Sequence, residues 1–354
     1  MLKLENLSVS FGAKRAVRDL SLEIAEGELV CLLGPSGCGK TTTLRAIAGL
    51  ERPDGGRVCI AGRVLSDAAK VVPPPERGIG FLFQDFALFP HLTVAQNIAY
   101  GMTRTQKASD AGRVVALLER VHMRQLAHSY PHMLSGGEQQ RAALVRALAP
   151  RPRVVLLDEP FSSLDASLRA GLREETVRIL KDAGVTVLMV THDPEEALIS
   201  ADRIVLMRDG AVVQTGTPDA LYAAPVDAFT AAFFGAVNRV PGTVAGAEVR
   251  TRLGAVANPG FRDGEAVEVL IRPDGLTLSP GGERPGAELH VCSVHFAGAS
   301  SVVRLSERYD DPGHDHFHAR LPGLVRHRAG ETVRIGIDPD QSFVFSEKRS
   351  RPAR

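Results

Sequence analysis

Three short segments of this chain bring together residue types that handle phosphate. The octapeptide Gly34-Pro35-Ser36-Gly37-Cys38-Gly39-Lys40-Thr41 fits GxxxxGK[ST]. Its glycines let backbone amides approach phosphate oxygens, the Lys40 ammonium meets the β- and γ-phosphates, and the Thr41 hydroxyl can ligate magnesium. In Leu156-Leu157-Asp158-Glu159-Pro160 two carboxylates follow an apolar run, so one can hold the metal and the other a water. Between these lies Leu134-Ser135-Gly136-Gly137-Glu138-Gln139-Gln140-Arg141, a Ser-Gly-Gly turn opening a helix. Its free amides can meet the phosphate of a facing subunit. The same turn serves equally as an ordinary helix start, with the helix running through Ala142 to Leu148, and the two roles are compatible.

Such residues need strands and helices to aim them. Leu4 to Val9 and Leu29 to Leu33 read as strands, the second feeding the Gly-rich loop and a helix from about Lys40 to Gly49. Val154 to Leu157, Val185 to Val190 and Ile204 to Met207 lack polar alternation, which predicts strands covered on both faces in a doubly wound core. From about 85 to 150 the pattern turns helical, with Val114, Leu117, Leu118 and Val121 at helical spacing behind Ser109-Asp110 as a cap candidate. After about Val237 short alternating strands follow, such as Val267 to Ile271, Val302 to Leu305 and Val333 to Ile337. A boundary near Ala236 to Pro241 is therefore expected, giving a nucleotide-binding domain at 1–236 and a β-rich domain at 237–354. The latter ends in a basic, frayed tail from Lys348 to Arg354.

With 354 residues, 44% hydrophobic and 23% charged, the chain has room for two ordinary globular domains. A formal charge of +1 gives no electrostatic reason to expect nucleic acid or an anionic bilayer as partner. The start, Met1 to Leu7, lacks an apolar export core, and no run approaches the roughly 20 apolar residues of a membrane span, so a cytosolic protein is expected. Cys31, Cys38, Cys59 and Cys292 form no CxxC pair, which supports neither a disulfide framework nor a zinc knuckle. Cys38, inside the phosphate loop, reads as a small filler before it reads as a redox sensor.

Together the motifs resemble the ATP-binding cassette (ABC) ATPases, and the resemblance covers essentially the whole chain. Leu2 to about Ala236 is similar to their P-loop NTPase core with its inserted helical subdomain. The remainder, chiefly through Ile271-Arg-Pro-Asp-Gly-Leu-Thr-Leu278, resembles the small β-rich, OB-like region called TOBE. The resemblance implies an ATP hydrolase using ATP and Mg2+, with Gly34, Pro35, Ser36, Gly37, Cys38, Gly39, Lys40, Thr41 and Thr42 binding the nucleotide. It places Thr41, Gln84 and Asp158 at the metal and makes Glu159 the base that polarises the attacking water. His192, in Val190-Thr-His-Asp193, matches the histidine that contacts the γ-phosphate and positions the water, although a lone histidine would first read as a core residue. Gln84, in Phe83-Gln-Asp85, matches the glutamine that touches metal and water and links the core to the helical lobe. Phe11, in Val9-Ser-Phe-Gly12, occupies the place of the aromatic that stacks on adenine, often tyrosine in the family; simple packing is the alternative. Ser135, Gly136 and Gly137 would donate to ATP held by a second copy in a head-to-tail pair. Asp165, in Ser162-Ser-Leu-Asp165, matches the D-loop along that interface.

A TOBE-like tail further implies the ATP-binding subunit of a bacterial importer at the cytoplasmic face of the inner membrane. Its partners would be two membrane-spanning permease subunits and, indirectly, a periplasmic or surface-anchored binding protein. A permease helix would enter a groove involving Phe86, Leu88 and Phe89, unless these side chains close the lobe's own core. Glu76 to Val94 and Phe233-Phe234-Gly235 look most like ferric-iron importers, with polyamine importers close behind and sulfate, molybdate and phosphonate systems after them. A soluble ABC ATPase of translation or DNA repair would carry two cassettes or a long coiled-coil insertion, and this chain has one cassette and no long heptad segment. A purely regulatory module sits poorly with intact Lys40, Asp158, Glu159 and His192, and the tail favours import over export. His314, His316 and His318 alternate and on a strand would share a face able to bind a transition metal, though a polar strand or loop is the plainer expectation.

Overall fold

The unbroken apolar runs become strands of a sheet buried on both faces. The computed structural model describes residues 1–67, 69–110, 112–162, 164–280, 286–309 and 316–347. Six strands lie in the order Ala211–Gly216, Arg203–Arg208, Leu29–Leu33, Thr186–Thr191, Val154–Asp158, Ile79–Leu82. All pairs are parallel except the first, an antiparallel edge. Val30, Leu32, Leu156 and Val190 face one core, and Cys31, Leu33, Leu157 and Met189 between them are buried as well. Neither face meets water, which is why the sequence shows no alternation.

Across the first core lie the helix Lys40–Ala48, contributing Leu44, Ala46 and Ile47, and a four-stranded antiparallel sheet. Its order is Lys14–Ile24, Leu2–Phe11, Gly55–Ile60, Arg63–Ser66, so the strand expected at Leu4 to Val9 belongs to this second sheet. A sheet thus covers much of one face of this core. Wholly buried Arg77 closes the end of the helix. It donates to the carbonyls of Ala46 (3.3 Å), Ile47 (2.7 Å) and Val72 (2.8 Å) and to the Ser66 hydroxyl (2.7 Å), satisfying acceptors the last helical turn leaves over.

Four helices, Val94–Tyr100, Arg104–Ser109, Arg113–Arg120 and Gly136–Leu148, follow the edge strand. Leu117 and Leu118 are buried, as their spacing predicts. The cap expectation fails: Ser109 and Asp110 close the preceding helix, because Thr103 and Gln106 form a capping box that starts it at Arg104. The helix behind them is capped at Gly112.

The second compact unit begins at Ala220, earlier than the junction expected near Ala236 to Pro241. The helix Ala228–Phe233 sets Ala228 and Ala231 against Leu270, with Val237, Phe343 and Phe345 around them. Buried Arg272 lies 3.7 Å from the Tyr222 ring centroid and donates to the Tyr222 carbonyl at 3.0 Å. These contacts tie the intervening residues to the β-rich unit. That unit holds two antiparallel five-stranded sheets. One runs Gly254–Ala257, Glu248–Thr251, Asn238–Ala245, Ala266–Ile271, Ser342–Ser346; the other runs Leu276–Pro280, Thr332–Ile337, Glu288–Phe296, Ser300–Ser306, Phe317–Pro322. Their facing Val, Leu and Ile side chains form one core.

His316 precedes the last of these strands and His318 lies exposed on it, while His314 and the tail from Lys348 fall outside the described residues. Among the described residues no group of three His, Cys, Asp or Glu side chains is placed to hold a metal. Among the described residues no helix is long and apolar enough to cross a membrane.

Candidate functional site

The expected catalytic residues leave the sheet together at the carboxyl ends of four neighbouring strands. Leu29–Leu33 leads into the phosphate loop, Ile79–Leu82 to Gln84, Val154–Asp158 to Glu159, and Thr186–Thr191 to His192. Ligands of open α/β sheets bind at this edge.

The loop glycines are required by shape. Gly34 (φ +154) and Gly39 (φ +103) each bring backbone so close that an added Cβ would stand 2.3 Å from a carbonyl oxygen, of Met207 and Ala16 respectively. Ser36 and Gly37 form the open outer turn, whereas Cys38 is buried, and burial pushes its thiol up despite the neighbouring Lys40. A thiol held neutral fits the filler reading. Lys40 is buried too, its side-chain nitrogen donating to the carbonyls of Gly34 (2.7 Å) and Pro35 (3.1 Å) in the concavity of the loop. Thr41 and Thr42 open the helix behind it, half-buried.

The Thr41 hydroxyl donates to Asp158 Oδ1 at 3.0 Å. Burial pushes the Asp158 carboxyl up, the nearby Glu159 adds to this, and Thr41 opposes it. A hydroxyl beside a desolvated carboxylate is a hard-oxygen donor set and suits Mg2+.

Glu159 has φ +45, a left-handed backbone that its side chain disfavours. Its N–H donates to Val190 of the adjacent strand at 3.0 Å, and one carboxylate oxygen lies 3.1 Å from His192 Nδ1. The turn carrying His192 is braced from below. The Thr191 hydroxyl donates to buried Glu196 at 2.6 Å and accepts from the Asp193 N–H at 3.0 Å, and Asp193 caps the helix Pro194–Ser200. Burial pushes the Glu196 carboxyl up, Thr191 opposing. Glu159 and His192, 33 residues apart in sequence, thus meet, the imidazole exposed and the carboxylate largely covered.

Ser135 caps the helix Gly136–Leu148 in a capping box: its amide and hydroxyl both bond the Glu138 carboxylate at 2.8 Å. Gly137 packs so tightly that an added Cβ would stand 3.0 Å from Leu172. Asp165 begins the helix Ala166–Asp182, yet its exposed side chain makes no capping bond, which leaves the carboxylate outward. Phe11, at the end of its strand, is half exposed. Of the groove candidates, Phe86 is buried and so closes the core, while Leu88 and Phe89 are half-buried. Arg77, Glu196 and Arg146 were missed from sequence, because nothing in their neighbours marks which distant carbonyl or hydroxyl they meet.

The ABC transporter family profile matches residues 17–162, and a TOBE domain profile matches residues 269–345. The sulfate/thiosulfate import ATP-binding protein CysA 2 of Chromobacterium violaceum is 46% identical over 86% of this chain and 83% of its own length. The chain belongs to the ABC transporter ATP-binding proteins. It is an ABC-type ATPase whose P-loop domain is followed by a β-rich TOBE domain. The spermidine/putrescine import ATP-binding protein PotA of Rubrobacter xylanophilus is 42% identical over 98% of this chain and 94% of its own. The Fe(3+) ions import ATP-binding protein FbpC of Pseudomonas fluorescens is 46% identical over 94% and 95%. A solved ATP-binding cassette in a dimeric, post-hydrolysis state bound to ADP and Pi superposes with a TM-score of 0.52 at 31% identity, over 62% of this chain and 99% of that one.

Proposed function

We propose that this ABC ATPase energises a binding-protein-dependent importer as a head-to-tail pair of copies, each ATP held between the phosphate loop of one chain and Ser135, Gly136 and Gly137 of the other. The observation that carries this reading is the convergence of Lys40, Thr41, Asp158, Glu159 and His192 at one sheet edge. The Ser135 turn instead opens a helix of the segment that follows Gln84. Phosphoryl transfer needs donors on every side of the developing charge, and the sheet edge supplies them from one side only.

In this reading Lys40 and the loop amides orient the phosphates, and Phe11 stacks on the base. Thr41, Asp158 and Gln84 would hold Mg2+, which when bound neutralises charge between the β- and γ-phosphates. Glu159 accepts the proton of the attacking water. The imidazole 3.1 Å away keeps that carboxylate aimed and contacts the γ-phosphate. Asp165 lines the seam between copies. Closure of the pair would reorient two permease subunits at the cytoplasmic face of the membrane, through a helix seated near Leu88 and Phe89. For the cargo we keep ferric iron, supported by Glu76 to Val94 and by the FbpC relative. Sulfate/thiosulfate is the rival, since the CysA 2 relative is equally similar. Uptake of radiolabelled iron, sulfate and spermidine by cells lacking this protein decides between them.

The shared site is tested by mixing two inactive variants, Lys40→Ala and Ser135→Arg. A mixed pair keeps one intact composite site, so mixing restores about a quarter of wild-type ATPase activity. No recovery on mixing places the whole site within one chain.

A further inference from the structure

Directly behind Gln84, Phe86 and Ala87 both take left-handed backbone, with φ +60 and +45. Two consecutive residues with side chains rarely do so unless the surroundings impose it. The constraint comes from Arg146. One terminal nitrogen of its guanidinium donates to the Phe86 carbonyl at 2.7 Å and the other to the Ala87 carbonyl at 2.5 Å, while its carbon lies 5.8 Å from the Phe89 ring centroid. A planar fork suits two neighbouring carbonyls, which a lysine reaches only one at a time. The far end of the segment is held separately: wholly buried Asn97 accepts from the Phe89 N–H at 2.8 Å and donates to the Leu92 carbonyl at 3.0 Å. Arg146 is also on the helix that opens at Ser135, about 16 Å along its axis.

We propose that Arg146 is a positioning residue for Gln84. By gripping the Phe86-Ala87 turn it fixes the direction in which Gln84 leaves the strand Ile79–Leu82, and it fastens that loop to the helix bearing the Ser135 turn. The inference rests on the role given to Gln84 above.

The test is steady-state ATPase kinetics and thermal melting of the full chain, comparing Arg146→Ala, Arg146→Lys, Gln84→Ala and the double variant Gln84→Ala/Arg146→Ala. Arg146→Ala lowers kcat about tenfold with KM for ATP changed less than about twofold, as a misdirected group would. The double variant turns over no more slowly than Gln84→Ala alone, and Arg146→Lys recovers part of the loss. A merely structural arginine would lower the melting temperature and give losses that multiply with those of Gln84→Ala. That result, or an unchanged kcat in Arg146→Ala, overturns the proposal while leaving the Gln84 role intact. Wild-type turnover in Gln84→Ala overturns both. Should Arg146→Ala fail to fold, Arg146→Lys carries the same comparison, with a loss of about threefold.

Discussion

The carboxyl edge of the parallel sheet and the interior of the β-rich unit treat buried charge in opposite ways. At the edge, Lys40, Asp158 and Glu196 are buried, two of them as carboxyls whose protonation burial favours, and Glu159 is held with a strained backbone beside His192. The β-rich core is Val, Leu and Ile around Phe317. The wholly buried arginine of its unit, Arg272, is met by the Tyr222 and Phe343 rings and a carbonyl. In the first region buried polarity crowds the sheet edge proposed above to bind nucleotide, at the expense of stability; in the second it fastens a helical segment to a sheet.

Four substitutions break or sharpen this contrast. Glu159→Gln removes the proposed proton acceptor and keeps the shape, so kcat falls about a thousandfold while ATP affinity is kept; single-turnover hydrolysis beside nucleotide binding shows both. Persistent hydrolysis would place the base elsewhere. Arg272→Ala removes the pin of the second unit and costs about 3 kcal/mol in denaturant unfolding. ATP affinity stays at the wild-type value, and a lost affinity would erase the distinction between the two kinds of buried charge.

Asp158→Asn carries the strained side of the contrast. A carboxyl raised by folding binds its proton more tightly in the folded state. Its ionisation therefore lowers stability from the ordinary aspartate pKa upward, with the loss complete above the raised value and present at neutral pH. Asparagine keeps the acceptor for Thr41 without the charge, so the nucleotide-free protein gains about 1 kcal/mol as hydrolysis is lost. Melting curves across acid to neutral pH, with the gap between variant and wild type widening as pH rises, would confirm the sign. Phe11→Ala gives the smallest effect: KM for ATP rises about fivefold from loss of about 1 kcal/mol of stacking, with kcat unchanged, while Phe11→Tyr stays near wild type.

Much of this was legible beforehand where a motif is a local device. Strand Leu29–Leu33 and the helix after the phosphate loop lie where the sequence placed them, because a buried run, a Gly-rich turn and a helix start are decided within about ten residues. Ser109-Asp110 misled because serine and aspartate suit either end of a short helix, and the capping box at Thr103 settled which. The second unit began earlier than composition suggested, because Ala228, Ala231 and Tyr222 gain their meaning only from Leu270 and Arg272, some 40 to 50 residues away.

By itself the amino-acid order determined the phosphate loop, the paired carboxylates, the Ser-Gly-Gly helix start and the two-part organisation, since each depends on residue types at fixed short spacing. Only the tertiary structure decided that Glu159 turns left-handed to meet His192, that Arg77 closes the helix behind the loop, and that Arg146 grips the segment beyond Gln84. Each of these joins a side chain to atoms brought close by sheet order and helix packing, and short-range spacing carries no record of such distances.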